Sequence, residues 1–151
     1  MKFSEIRVGQ VLEFGRYDMT EPEIIEFASH YDPQPFHIDP AAAKATQWGG
    51  IIASGFHTCS VAMRLIVDNV LAGSESSGSP GLNSIRWLKP VRPGDTLSMR
   101  VEVLEVKRSA SGGTGIVVWQ WQLKNQHSDL VLDLVCTSLF DLRKTQKGSD
   151  W

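Results

Sequence analysis

Apolar residues recur at two spacings along this chain, and the change of spacing divides it into a helical first half and a strand-rich second half. Val11-Leu12-Glu13-Phe14 is a short strand-like run. Thr20-Glu21-Pro22-Glu23 then opens a helix: the threonine hydroxyl can cap, Glu23 can return a bond to the cap nitrogen, and Pro22 in the first turn needs no intrahelical donor. Ile24, Phe27, Ala28 and Tyr31 give that helix one apolar stripe. It is expected to fail at Asp32, because Pro33 pushes the preceding residue toward extended backbone. With Pro35 and Pro40 following, residues 32–37 are predicted as a stiff loop. Residues 41–45 make one or two helical turns. Residues 56–71 are predicted as a long, mostly buried helix with Cys59, Ala62, Met63, Ile66, Val67 and Val70 on its apolar face and Arg64 and Asp68 paired outside it.

Beyond that helix, residues 73–81 are rich in Ser, Gly and Pro and are expected as a flexible surface loop. Residues 84–88 are a strand candidate, followed by Lys89-Pro90 and the turn Pro93-Gly94-Asp95. Leu97, Met99, Val101 and Val103 then alternate with polar residues, as do Val117, Trp119, Trp121 and Leu123, and a last strand lies within 130–140. Consecutive strands with short turns predict an antiparallel meander. The resulting fold class is α+β: a single domain over residues 1–151, its antiparallel sheet wrapped around one long central helix, with residues 143–151 as a flexible C-terminal tail.

Composition narrows the function classes. The 151 residues are 42% hydrophobic and 21% charged, so one packed domain is expected. The net charge of −2 lacks the basic footprint of a nucleic-acid binder. The amino-terminal stretch carries Lys2, Glu5, Arg7 and Glu13 and has no apolar signal core, and the longest apolar stretch is broken by glycines and polar residues. No membrane partner and a cytoplasmic location are therefore expected. Cys59 and Cys136 form no C-x-x-C pair and are read as buried, reduced thiols.

The most informative segment is Asp32-Pro33-Gln34-Pro35-Phe36-His37-Ile38-Asp39-Pro40. It resembles the D-x-N-P-x-H-x-D segment of the MaoC-like hydratase/dehydratase family, the R-specific enoyl-CoA hydratases, with Asp32, Pro35, His37 and Asp39 matching. The similarity continues through Gly49-Gly50-Ile51-Ile52-Ala53-Ser54-Gly55 and through residues 86–95. It implies a hot-dog fold and reversible hydration of a trans-2-enoyl thioester to a 3-hydroxyacyl thioester. Two protomers of such a fold usually join their sheets, so a homodimer or higher homo-oligomer is expected.

Hydration of a conjugated double bond needs a carboxylate and an imidazole sharing one water, and Asp32 and His37 are the candidates. It also needs donors for the oxygen that becomes enolate-like, and Gly55 at the start of the long helix fits that need. Ser54, Gln34 and His57 are further oxyanion or substrate-binding candidates. Gln34 stands where the family commonly has Asn, Ser54 where many members have His, and Met63 where some hydratases carry a hydroxyl. His57 can line the pocket or be a core histidine bonded to backbone. Asp39 is read as a cap on the turn after Pro40, and His37-x-Asp39 lacks the further ligands of a metal site. Arg86, Lys89 and Arg92 are candidates for coenzyme A phosphates. No cofactor is expected, coenzyme A being part of the acyl-CoA substrate. The alternatives are a hot-dog acyl-CoA thioesterase and a non-catalytic acyl-CoA-binding module. Acyl length and the carrier, coenzyme A or acyl carrier protein, stay open.

Overall fold

The computed structural model describes residues 1–143, so the tail expected over 143–151 lies, apart from Arg143, outside the described residues. After a 3₁₀ turn at Phe3–Glu5 come β1 (Val11–Asp18), α1 (Glu21–Tyr31), α2 (Pro35–Ile38), α3 (Pro40–Lys44) and α4 (Gly55–Ile66). They are followed by β2 (Ser76–Trp87), β3 (Thr96–Arg108), β4 (Thr114–Lys124) and β5 (Leu130–Asp141). Among the described residues the strands form one antiparallel sheet in the order β1-β3-β4-β5-β2.

Alternation puts one face of this sheet into the core. Met99 faces Leu123, Val101 faces Trp121 and Val103 faces Trp119 across β3 and β4, while Trp119 and Trp121 face Cys136 and Leu134 across β4 and β5. These residues are all buried. α4 lies over that face, packing against β1 and β4, and its Val61, Ala62, Leu65 and Ile66 complete the core. Close approach of β1 depends on Gly15, at a bulge between Phe14 and Tyr17. Its φ of +86° suits glycine, and a Cβ there would meet Leu65 of α4 at 2.8 Å. Past Ile66 the helix widens into a π turn over Val67–Leu71, closed by the Ala72 N–H donating to the Val67 carbonyl at 2.8 Å.

The structure corrects several expectations. Residues 32–37 are not wholly a loop: Pro35 starts the single helical turn α2, its fixed φ suiting the first helical position. The capping box of α1 is half made. Thr20 accepts from the Glu23 N–H at 3.4 Å, but the Glu23 carboxylate bonds the Tyr17 hydroxyl and His57 instead of returning to the cap. The buried residues of α4 are His57, Thr58, Val61, Ala62, Leu65 and Ile66, whereas Met63 and Val67 are exposed and Cys59 is half-buried. Both flanks of that helix are apolar, so periodicity alone could not say which one the sheet would cover.

The expected loop over 73–81 is largely strand. β2 begins at Ser76 and pairs with β5 through three irregularities, two of them flanking Gly78, and its side chains are almost all exposed. An edge strand ordered by backbone bonds to one neighbour needs no apolar side chains, so its composition resembles a loop. Nor do all the strands run as a meander: β2 pairs with β5 and β3 with β1, at opposite ends of the sheet. Turn residues show where the chain reverses but not which edge it joins.

Trp119 is the largest fully buried side chain among the described residues, and its indole N–H donates to the Ser138 hydroxyl at 3.0 Å. Ser138→Ala is expected to leave that N–H without an oxygen acceptor and to destabilise the fold by about 1–3 kcal/mol. Urea unfolding should then show a lower midpoint with an unchanged slope.

Candidate active site

Asp32 sits at the C-cap of α1, where its own N–H still bonds the Ala28 carbonyl at 2.8 Å, but its φ of −153° and ψ of 65° turn the chain out of the helix. The change of direction follows from Pro33. The turn of α2 then brings His37 back toward Asp32, with His37 Nε2 3.1 Å from Asp32 Oδ2. His37 is only 4% exposed. Its Nδ1 lies 2.6 Å from the Ile52 carbonyl oxygen, which can only accept, so Nδ1 carries a proton. Nε2 and Oδ2 consequently need one proton between them to face each other.

The carboxylate is held on both oxygens. Gln34 Nε2 donates to Oδ1 at 2.7 Å, and the fully buried Ser54 hydroxyl donates to Oδ2 at 2.8 Å. Partial burial works to raise the Asp32 carboxyl, but these hydrogen bonds and the facing His37 outweigh it and hold the group below its ordinary 3.8. Asp39 caps α3, its Oδ1 accepting from the Ala41 and Ala42 N–H groups at 3.1 and 3.2 Å, and so belongs to the scaffold.

Ser54 is also the N-cap residue of α4, yet its side chain makes no cap bond and is directed to Asp32. The His57 and Thr58 N–H groups return to the Ser54 carbonyl at 3.0 and 3.1 Å. That leaves the amides of Gly55 and Phe56 as the donors of the first turn without a backbone acceptor. They open beside a cavity of about 380 Å³ lined by Asp32, His37, Ile52, Gly55, Phe56 and Trp87. A carboxylate, an imidazole and a helix N-terminus thus meet at one mostly apolar hollow, an arrangement suited to moving protons while oxyanion charge develops.

The chain belongs to the MaoC-like dehydratase family. The family described as MaoC like domain matches residues 3–120, which contain every residue of this site. The uncharacterized protein YdeM of Bacillus subtilis is 33% identical over 105 residues, 70% of this chain and 74% of YdeM. The MaoC-like dehydratase of Rhodospirillum rubrum superposes with a TM-score of 0.83 at 33% identity, over 91% of this chain and 94% of that one. The R-hydratase PhaJ1 of Pseudomonas aeruginosa has a TM-score of 0.73 at 25% identity, over 92% and 84%. The sheet laid over α4 is therefore the hot-dog fold of MaoC-like proteins, a family that includes hydratases and dehydratases.

Of the residues singled out from sequence, this MaoC-like chain brings together Asp32, Gln34, His37, Ser54 and Gly55. It does not bring His57 with them. Ser54 holds Asp32 rather than offering its hydroxyl to a ligand, because that hydroxyl is already donated. His57 faces a separate open groove of about 860 Å³ between β1, α1 and α4, where its ring stacks on Phe27 at 4.7 Å and its Nε2 lies 3.3 Å from Glu23 Oε1. The turn of α4 carries it away from the dyad. Tyr17 joins the same cluster, and its hydrogen bond to the Glu23 carboxylate, together with burial, pushes its hydroxyl up to about 12. Lys89 reaches the rim of the dyad's cavity with its Nζ 3.1 Å from Asp129, whereas Arg86 and Arg92 do not line that cavity. Trp87 and Phe56 are the aromatic walls that sequence reasoning missed, although Trp87 lies within the segment whose likeness to the family was apparent. No cluster of three or more metal-binding side chains occurs among the described residues, and none of their helices is long and apolar enough to cross a membrane.

A carboxyl held below its unfolded-state value stabilises the fold above that value and ceases to do so as the pH falls through the folded one. Stability is therefore expected to fall as the solution is acidified below about 4. Asp32→Asn, which cannot take up that proton, should show a shallower loss between pH 5 and pH 2 in urea midpoints measured across this range.

Proposed function

We propose that this protein is an R-specific enoyl-CoA hydratase, or 3-hydroxyacyl-CoA dehydratase in the reverse direction, acting on a trans-2-enoyl thioester. The observation that carries the reading is the Asp32–His37 pair, 3.1 Å apart, opening on the cavity that also receives the first turn of α4. A water bound to the pair is positioned for its oxygen to attack the β-carbon. As that bond forms, the π electrons move through the α-carbon to the thioester oxygen, where the Gly55 and Phe56 amides stabilise the charge. The proton shared by Asp32 and His37 passes to the α-carbon, and the proton lost by the water restores the pair. One hydrogen and one hydroxyl are added overall, and elimination retraces the same steps.

Loss of the conjugated enoyl-thioester absorbance, with crotonyl-CoA and a longer enoyl-CoA as substrates, tests the reading. Wild type is expected to consume substrate, and Asp32→Asn and His37→Ala to lose about 100-fold or more in kcat while remaining folded. Release of free thiol without hydration would instead identify a thioesterase. Binding with neither reaction would identify a non-catalytic acyl-CoA module.

The active unit in this reading is at least a homodimer. β2 ends the sheet, with no strand beside its outer edge among the described residues, and Leu82 and Trp87 on it and Leu88 just beyond are exposed. Phe56, Met63 and Val67 on and just past α4 are exposed as well. Light scattering should give twice the chain mass or more for wild type, and Leu82→Asp should shift the population toward single chains.

A further inference from the structure

Trp87 ends β2 at the mouth of the dyad's cavity, and the structure shows three contacts that a cavity wall alone would not require. Its indole Nε1–H donates to the Gly55 carbonyl at 2.9 Å. Its ring lies so close to Gly55 that a Cβ there would meet the indole at 2.5 Å. Its ring also meets Phe56 edge to face, centroids 6.0 Å apart. The first turn of α4 is thus held from outside the helix, by a side chain from the far edge of the sheet.

The Gly55 carbonyl and the Phe56 N–H belong to one peptide group. Donation to the oxygen of a peptide increases its double-bond character and makes its own N–H a stronger donor. That N–H is one of the two first-turn donors left without a backbone acceptor. We propose that Trp87 is a positioning residue for the hydration reaction: its indole N–H orients and polarises the Gly55–Phe56 peptide so that the Phe56 amide stabilises the thioester oxygen as it becomes enolate-like. The inference rests on the hydratase reading and adds to it a residue that acts through the backbone of α4 and not on the reacting carbons. It also accounts for the side-chain-free residue at position 55, since any larger residue would displace the indole.

Trp87→Phe keeps a ring against Phe56 but removes the N–H. Because the interaction is strongest when charge has developed, kcat for crotonyl-CoA is expected to fall about tenfold, less than for deletion of a direct oxyanion donor, with KM changed by no more than about twofold. A second readout does not depend on turnover. The thioester carbonyl stretch of crotonyl-CoA bound to Asp32→Asn should lie at lower frequency than in the doubly substituted Asp32→Asn, Trp87→Phe protein, whose value should move back toward that of free ligand. An unchanged kcat, or a raised KM with kcat intact and no shift in the carbonyl stretch, would show Trp87 to be only a wall of the cavity and overturn the proposal. A wild-type protein that consumes neither crotonyl-CoA nor a longer enoyl-CoA would overturn the hydratase reading itself, and this inference with it.

Discussion

Ser54 occupies the N-cap position of α4, yet its hydroxyl reaches out of the helix to Asp32 Oδ2, 2.8 Å away, instead of accepting from its own first turn. The rest of the site depends on that bond. A buried hydroxyl given to a carboxylate is a charge-assisted bond, stronger than an ordinary cap bond. It ties the end of α1 to the start of α4 across 22 positions of sequence. Its oxygen caps no α4 amide, so the fixed carboxylate and the open donors lie side by side.

The sheet supplies what the helices cannot. Alternating burial on β3, β4 and β5 builds the layer on which α4 rests, and Gly15 lets β1 close against Leu65. With α4 seated, its first turn faces the end of β2, where Trp87 bonds the Gly55 carbonyl. Elements from both halves of the chain therefore converge on one turn of backbone. Such a turn is rigid because its orientation is set from the helix, from the sheet edge and from the Ser54 carbonyl at once.

Two buried histidines show why residue type alone does not define a site. His37 and His57 each point a ring nitrogen at a carboxylate, Asp32 at 3.1 Å and Glu23 at 3.3 Å. His37 opens on the hollow beside the uncapped amides. His57 stacks on Phe27 and joins α1 to α4 and β1 through Glu23 and Tyr17. Both belong to or adjoin the recognisable family segments, but α2 brings His37 to Asp32 whereas α4 carries His57 toward α1 and β1.

Much of the local structure was legible beforehand because it follows from nearest-neighbour physics. Thr20 and Pro22 start α1, Pro33 ends it at Asp32, and Leu97 to Val103 and Val117 to Leu123 alternate as strands must. Asp32 and His37 were likewise legible as the candidate pair, from their residue types in a proline-stiffened segment that resembles the family's. Long-range choices were not legible. That β2 pairs with β5, that a serine- and glycine-rich stretch becomes an edge strand, that α4 buries Leu65 while exposing Met63, and that Ser54 serves Asp32 are all set by what lies across the fold. Sequence by itself determined where backbone direction changes and which residues carry chemistry, because dihedral preference and side-chain type are local. Tertiary structure alone decided which face, edge and hydroxyl meets which partner, because burial and hydrogen bonding are satisfied by groups distant in the chain.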